Sequence, residues 1–195
     1  MGYVKALREH FGNKVVFSMR DLRIFFSRQK ISSAYRNLLV HNLLKKGEMV
    51  RITKGRYTFQ KDSCVFGFAF SPFYYGLQEA LSLRKLWGQE TVPVIITAKK
   101  FRPGIREIGG SKIIIKRIGR KMFFGFDFVK QFDFELPVSD PEKTLIDFAY
   151  FRQQLDPAVL HEIKKRIDGQ KLRQYLLKCP KYVKVKIEKW IGNKY

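Results

Sequence analysis

Cysteine and histidine are scarce in this sequence, and the few that occur are scattered. Only two of the 195 residues are cysteine, Cys64 and Cys179, and they lie far apart along the chain. Two distant cysteines make neither a disulfide framework nor a metal-binding motif, which excludes disulfide-rich domains and zinc fingers. The three histidines, His10, His41 and His161, are isolated from one another and from the cysteines. The sequence therefore predicts no metal site and no cofactor.

Long hydrophobic runs are also missing. The longest apolar runs, VPVIITA and CVFGFAF, are too short to cross a bilayer as a helix. The first eleven residues carry Lys5, Arg8 and Glu9 inside their apolar pattern, which does not fit a secretory signal peptide. We therefore expect a cytoplasmic protein without a membrane partner, and a reducing cytoplasm agrees with the low cysteine content.

Acidic residues are far outnumbered by basic ones. The chain has 39 lysines and arginines against 17 aspartates and glutamates, so its formal net charge is +22. An excess of this size favours a polyanionic partner, DNA or RNA, or an anionic membrane surface. Charge alone does not choose among these partners, and solvated lysines without any partner would give the same composition. The hydrophobic fraction of 45% is large enough to form a globular core.

The stretch from Ser18 to Gln60 has the pattern of two helices followed by a β-hairpin. SMRDLRIFFS begins with Ser18 and has Asp21 three residues later, which approximates a helix-capping box. After the break RQK, a longer helix, ISSAYRNLLVHNLLKKG, is predicted to be capped by Ser32 or Ser33 and closed by Gly47. Two alternating runs in MVRITKGRYTF then indicate a hairpin. The sequence thus predicts a winged helix-turn-helix over residues 1–62.

The second of these helices carries residues expected to contact DNA. A recognition helix contacts base edges with its N-terminal residues, where arginine can read guanine and asparagine can read adenine. The residues predicted to face inward are Ala34, Leu38, Leu39, Leu43 and Leu44. The residues predicted to face DNA are Ser32, Ser33, Tyr35, Arg36, Asn37 and His41.

The hairpin and the break supply further basic residues. Arg51, Lys54 and Arg56 lie at or near the predicted hairpin tip, and Lys30 lies in the break between the helices. We expect these four residues to contact phosphates or the minor groove. The hairpin residues expected to face inward are Val50, Ile52, Tyr57 and Phe59. A small helical domain with an ordinary solvated basic face remains the alternative.

From Cys64 onward the pattern predicts a mixed α/β domain, residues 63–195. CVFGFAF is predicted to be a buried strand, the segment after Ser71-Pro72 a helix, and TVPVIITAK a central strand. FRPGIREIGGS is predicted to be a loop, and KIIIKRI, MFFGFDFV and FDFELPV are predicted strands with turns at 119–121 and 130–131.

The C-terminal part of this domain is predicted to be helical. SDPEKTLIDFAYF begins either with Ser139 as the cap or with Asp140 as the cap and Pro141 at the first helical position. A second helix begins at Asp156-Pro157 and is expected to end at Asp168-Gly169, and two basic helices complete the chain. The predicted fold class is therefore α+β.

Two other functions fit parts of the sequence. A metal-dependent nuclease would use acids and a lysine, for which Asp127, Glu135, Asp140, Glu142 and Lys143 are the candidates. The usual aspartate followed by Glu-x-Lys on adjoining strands is missing, so we expect no enzymatic activity. An RNA-binding protein would use the basic surface and the aromatic residues to stack bases, although no RNP-like motif occurs.

Four segments together resemble the AbiEi family of antitoxin-regulators from phage-defence toxin–antitoxin systems: LLKKGEMVRITKGRYTF, SPFYYGLQEALSL, PVIITAKKFRP and VSDPEKTLIDF. The resemblance covers roughly Ser18 to Asp168. It implies a winged helix that represses its own promoter by binding inverted repeats in double-stranded DNA. It also implies a C-terminal domain that opposes a nucleotidyltransferase-like toxin, as the antitoxin of a type IV-like pair. The Pro-Glu-Lys run of the family corresponds to Pro141, Glu142 and Lys143, which we interpret first as a helix start.

Overall fold

Two β-sheets accompanied by helices make this protein a mixed α+β structure. The computed structural model describes residues 2–89, 91–131 and 133–192. Residues up to Ser71, together with Arg106–Ile113, form one compact unit. Pro72–Ile105 and the residues from Ile114 onward form a second unit. The predicted N-terminal domain, residues 1–62, lies within the first unit.

Helices and a small antiparallel sheet alternate in the first unit. Its elements are α1 (Tyr3–Phe11), β1 (Phe17–Ser18), α2 (Met19–Arg28), α3 (Ser33–Lys45), β2 (Val50–Thr53) and β3 (Arg56–Thr58). The sheet has the order β1-β3-β2, in which Arg56 pairs with Ser18 on one side and with Thr53 on the other. The two helices and the hairpin predicted between Ser18 and Gln60 are therefore present.

Side-chain caps determine where α2 and α3 begin. The Ser18 hydroxyl accepts a hydrogen bond from the Asp21 N–H at 3.2 Å, and the Asp21 carboxylate accepts one from the Ser18 N–H at 2.6 Å. This reciprocal pair is the predicted capping box. The Ser32 hydroxyl accepts from the Tyr35 N–H at 3.2 Å and caps α3 in the same way.

The helices and the sheet of the first unit share a core rich in aromatic rings. The rings of Phe11 and Phe17 are both fully buried, with centroids 4.6 Å apart. In the hairpin, Ile52 and Tyr57 are buried as predicted, whereas Val50 and Phe59 are only half-buried. The other buried members of the core are Leu7, Leu22, Phe25, Phe26, Leu39, Val40, Leu43 and Met49.

A buried 3-10 segment, Ser63–Phe70, follows the hairpin. The Asp62 carboxylate caps it by accepting a hydrogen bond from the Cys64 N–H at 2.9 Å. The prediction that CVFGFAF forms a strand was wrong. An apolar run of this length has no periodicity that separates a buried strand from a buried helical segment.

The second sheet is mixed. Its strands are β4 (Phe73–Tyr75), β5 (Val94–Thr97), β6 (Gly104–Ile108), β7 (Ser111–Arg117), β8 (Phe126–Gln131) and β9 (Phe134–Ser139). The order is β6-β7-β5-β4-β9-β8. β5 runs parallel to β7 and β4 parallel to β9, whereas the β4–β5 and β8–β9 pairs are antiparallel. The central strand predicted from TVPVIITAK and the strand predicted from KIIIKRI are present as β5 and β7.

Several expectations for this region were wrong. The helix expected after Ser71-Pro72 is present only as the short helix α4 (Gln78–Leu83). The start of the predicted helix, Phe73–Tyr75, forms the strand β4, which buries three consecutive aromatic side chains. The predicted loop FRPGIREIGGS contains β6. MFFGFDFV is extended only from Phe126, after a 3-10 turn at Arg120–Met122, and the turn expected at 130–131 lies inside β8.

Four helices cover most of the C-terminal part: α5 (Pro141–Tyr150), α6 (Pro157–Lys164), α7 (Gly169–Leu177) and α8 (Lys181–Ile191). Of the two predicted starts for α5, the structure has Asp140 as the cap and Pro141 at the first position. Asp156 likewise caps α6. Asp168-Gly169 does not end α6 as predicted, because Asp168 caps α7 by accepting the Gln170 N–H at 2.8 Å.

The second unit has its own hydrophobic core. Leu145, Ile146 and Phe148 of α5 are buried together with Val183 and Ile187 of α8. Among the described residues, no helix combines the length and the apolar character needed to cross a membrane.

The α2 cap gives a first prediction. Ser18→Ala removes the hydroxyl that accepts the Asp21 N–H and should destabilise α2 by about 1 kcal/mol, the usual cost of losing an N-cap. Hydrogen exchange of the α2 amides measures this loss. Ser27→Ala is the control, because the Ser27 hydroxyl is exposed and donates to the Ile24 carbonyl within the same helix. Equal losses in the two variants would contradict the capping role.

Asp21 makes the same cap pH-dependent. Hydrogen bonds from the Ser18 N–H and hydroxyl lower the pKa of Asp21, and the positive charges of Lys14 and Arg56 lower it further. A carboxylate whose pKa is lowered by folding stabilises the folded state at pH values above its unfolded-state pKa of about 4. This stabilisation is lost as the pH falls through the pKa that the carboxylate has in the folded state. The exchange difference between the parent protein and Asp21→Asn should therefore be full at neutral pH and shrink below about pH 4.

Candidate nucleic-acid interface

One face of α3 is exposed along the whole helix. The exposed residues, spaced three or four apart, are Ser33, Ala34, Asn37, Leu38, His41, Asn42 and Lys45. On the opposite side Leu39, Val40 and Leu43 are buried in the core of the first unit. This helix therefore presents a continuous surface in which amide, imidazole and ammonium groups surround an apolar side chain.

The prediction of which side of α3 faces the core was partly wrong. Leu38 and Ala34 were expected to be buried, but Leu38 is 53% exposed and Ala34 is also exposed. Apolar residues occupy most of the helix from Leu38 to Leu44, so periodicity alone did not define the inner face. The buried side of α3 instead includes Val40, which was not among the residues predicted to face inward.

Most of the residues predicted to face DNA are exposed in the structure. Exposed positions are Lys30, Ser32, Ser33, Tyr35, Asn37, His41, Arg51, Lys54 and Arg56. Arg36 is half-buried, because it lies one turn before Val40 and two turns before Leu43 on the inner side of the helix. The Ser32 hydroxyl is occupied as the cap of α3. Lys30 has a φ of 54° in the break between α2 and α3.

Arg36 and Asn37 are linked. The Arg36 guanidinium donates to the Asn37 side-chain oxygen from Nε at 3.3 Å and from Nη2 at 3.2 Å. Reading adenine requires both the oxygen and the nitrogen of an asparagine amide. Asn37 can make that contact only after Arg36 releases its oxygen, so movement of Arg36 towards a phosphate or a guanine would free Asn37.

An aromatic contact fixes the first turn of α3. The rings of Tyr3 and Tyr35 meet edge to face with their centroids 5.8 Å apart, which holds α1 beside the start of α3. Tyr35 is 42% exposed. Its hydroxyl is therefore available at the end of the helix that a recognition helix turns towards DNA.

The β2–β3 turn is basic and well anchored. Lys54 and Gly55 form the turn, with Gly55 at a φ of 74°, and the Met19 N–H donates to the Gly55 carbonyl at 3.0 Å. Arg56 lies close enough to Asp21 to lower its pKa, so part of its charge is offset. Among the described residues neither Arg51 nor Lys54 takes part in an ion pair. These two side chains are the stronger candidates for phosphate contacts.

Leu38 and Asn42 are exposed, although neither was among the residues predicted to face DNA. A usable signal was present: Asn37 and His41 lie one turn apart, and both were expected to face outward. At 3.6 residues per turn, Leu38 lies beside that pair and Asn42 continues the same stripe. The helix geometry that makes Asn37 and His41 outward therefore makes Leu38 outward as well.

The residues considered for a nuclease do not come together as one acidic site. Asp127 on β8 is exposed and forms an ion pair with Arg84, and Glu135 on β9 is also exposed. Asp140, Glu142 and Lys143 are buried at the start of α5. Within residues 2–89, 91–131 and 133–192, no group of three or more His, Cys, Asp or Glu side chains is arranged to hold a metal ion.

Asp140 and Glu142 join α5 to α7. Asp140 accepts hydrogen bonds from the Lys143 N–H at 2.7 Å and the Tyr175 hydroxyl at 2.9 Å, and its Oδ2 lies 2.9 Å from the Lys171 ammonium. Burial of Tyr175 and the hydrogen bond from its hydroxyl to Asp140 raise the pKa of Tyr175 to about 12. Burial lowers the pKa of Lys171, but the two carboxylates outweigh it and raise the pKa above its usual value. These acids therefore have structural partners.

Lys143 and Asp147 form an ion pair that is completely buried. The Tyr74 hydroxyl donates to Asp147 at 3.0 Å and closes the group from the side of β4. Burial raises the pKa of Asp147, although Lys143 and Tyr74 both oppose the change. Burial and the Asp147 charge also raise the pKa of Tyr74 well above its usual value. The Pro-Glu-Lys segment thus begins a helix and supplies a cation to the interior.

Compared with known proteins, the chain matches no family model, and no curated protein sequence matches it significantly.

The buried pair gives a prediction for the second unit. Lys143→Met leaves the Asp147 carboxylate buried without its cation and should destabilise this unit by about 3–5 kcal/mol. Both tryptophans, Trp87 and Trp190, lie in the second unit, so urea unfolding followed by tryptophan fluorescence measures this unit.

A second substitution separates loss of the charge partner from loss of packing. Lys143→Met with Asp147→Leu removes both charges and should recover most of the stability. Lys165→Met is the matched control, because Lys165 pairs with Glu162 on the surface and should cost less than about 1 kcal/mol. A double variant no more stable than Lys143→Met would refute the unpaired-charge explanation.

Proposed function

We propose that this protein is a sequence-specific DNA-binding regulator whose first unit is a winged helix-turn-helix. α3 would enter the major groove, and the β2–β3 turn would contact the adjacent backbone. The observation that carries this proposal is the exposed stripe of α3, where Asn37, Leu38, His41 and Asn42 face solvent while the opposite side is buried. The element order α1-β1-α2-α3-β2-β3 and the sheet order β1-β3-β2 support it.

The charge around this surface also supports DNA as the ligand. Between Ser18 and Lys61 the sequence contains two acidic residues, Asp21 and Glu48. Asp21 is used in the α2 cap, and Glu48 forms an ion pair with Arg8 at 2.7 Å. Few negative charges therefore oppose the approach of phosphates.

The exposed side chains of α3 suit base edges in the major groove. Asn37 and Asn42 can each contact adenine, and Leu38 between them can contact a thymine methyl group. Lys54 and Arg51 would contact phosphates, which position the protein without reading sequence. An A·T-containing half-site is the expected target.

The resemblance to AbiEi-type regulators extends the proposal. The regulator would repress its own promoter through an inverted repeat, and the second unit would act as antitoxin against a nucleotidyltransferase-like toxin. Selection of bound genomic duplexes, followed by titration at several salt concentrations, tests the DNA-binding part. Tighter binding to single-stranded RNA than to any selected duplex at matched salt would favour the RNA-binding alternative instead.

Two basic residues should have different effects on DNA binding. Arg36→Ala should weaken binding to the selected duplex by about 1–3 kcal/mol and relax its sequence preference. Lys54→Ala should weaken all duplexes alike and reduce the salt slope by about one. Fluorescence anisotropy with selected and scrambled duplexes measures both effects. Arg173→Ala, which removes an exposed guanidinium from α7, is the control for loss of charge. Unchanged binding in both test variants would exclude this reading surface.

Leu38 provides a test that does not alter charge. Because its side chain is half exposed, Leu38→Ser should change the melting temperature little but weaken the selected duplex by about 1 kcal/mol or more. Leu177→Ser is the matched control, since Leu177 on α7 is 79% exposed. Equal affinities for the two variants would remove Leu38 from the interface.

A further inference from the structure

A cavity of about 420 Å³ opens in the second unit where two parallel strands end. β5 and β7 are parallel neighbours, and the residues that follow them, Ala98–Lys100 and Arg120, line this cavity together with Pro72 and Phe123. Ligands of α/β sheets bind outside the carboxyl ends of the strands. The volume is also within the range of small-molecule sites.

One side of the cavity is strongly cationic. Lys99, Lys100 and Arg120 are exposed, and none of the described residues that line the cavity is acidic. In the part of the chain that the structure describes, none of these three residues forms an ion pair. Three positive charges of this kind favour a phosphate group.

The other side is apolar and includes an aromatic ring with a fixed position. Phe123 is half-buried, and its ring is packed against Tyr74 and Phe126 with centroid distances of 5.4 and 5.1 Å. Pro72 and Ala98 complete the apolar lining. A flat heterocycle can stack on such a ring.

Hydrogen bonds fix the segments that line the cavity. The buried Thr97 hydroxyl donates to the Pro72 carbonyl at 2.7 Å and accepts from the Lys99 N–H at 3.2 Å. The Ile118 N–H donates to the Thr97 carbonyl at 3.0 Å. The ends of β5 and β7 are thereby held together, so little ordering is needed when a ligand binds.

We propose that this cavity binds a nucleotide, with its phosphate on Lys99, Lys100 and Arg120 and its base against Phe123. An inorganic phosphate would not use the ring, and an uncharged heterocycle would not use the cations. The proposal is independent of DNA reading by α3, because all the lining residues belong to the second unit.

Competition experiments on the full chain test both halves of the site. The probe is N-methylanthraniloyl-labelled ATP, titrated at physiological ionic strength to suppress nonspecific attraction. Lys99→Ala with Lys100→Ala should weaken binding about tenfold or more. The control pair, Lys181→Ala with Lys189→Ala, removes the same charge from exposed positions of α8 and should change binding less than about twofold.

The aromatic half is tested with Phe123→Leu, which keeps an apolar side chain but removes the ring. This variant should weaken ATP about tenfold and leave competition by tripolyphosphate unchanged. If it fails to fold, Arg120→Ala on the surface should weaken both competitors. Tripolyphosphate competing as well as ATP, equal losses in the two lysine pairs, or no binding of the probe would each overturn the proposal. Comparing unlabelled ATP with a single-stranded pentanucleotide then distinguishes a free nucleotide from one within a strand.

Discussion

The second unit depends on the hydrogen bonds and the ion pair that the buried carboxylate of Asp140 makes. This carboxylate accepts the Lys143 N–H that begins α5, and it holds the Tyr175 hydroxyl and the Lys171 ammonium of α7. The Asp140 N–H donates to the Gly125 carbonyl just before β8. Gly125 approaches so closely that a Cβ there would lie 2.8 Å from the Lys143 Cβ. One buried acid therefore fixes the junction of a strand end, two helices and a tight backbone approach.

The same use of carboxylates recurs through the chain and connects stability with charge. Asp62, Asp140, Asp156 and Asp168 each cap a helical segment, and Asp21 completes the α2 capping box. Carboxylates are favourable there because helix starts present free N–H groups and a positive dipole end. The chain has 17 acidic residues against 39 basic ones, so ion pairs cannot neutralise all of the lysines and arginines. The chain therefore keeps a large excess of positive charge.

Local chemistry made part of the structure predictable. The capping box of Ser18 and Asp21 and the α5 start at Asp140-Pro141 were read from neighbouring residues, and the structure contains both. The 3-10 segment Ser63–Phe70 was predicted to be a strand, and the strand Phe73–Tyr75 was predicted to be part of a helix. A short, largely buried apolar run has no periodicity that separates a strand from a helical segment. The exposure of Leu38 follows from its position beside Asn37 and His41 at 3.6 residues per turn, a local signal that the apolar run from Leu38 to Leu44 obscured.

A net charge of +22 would attract polyanions in general but would not distinguish among them. Lysines and arginines bind any phosphate backbone, and the binding weakens with salt for every sequence alike. Selectivity requires groups that recognise more than charge. A single exposed leucine is ordinary on a protein surface, but Leu38 lies in one stripe with Asn37 and Asn42 on α3. Phe123 is likewise placed beside three cations. In both units, an apolar group next to polar or basic side chains is therefore the feature that would convert general attraction into recognition.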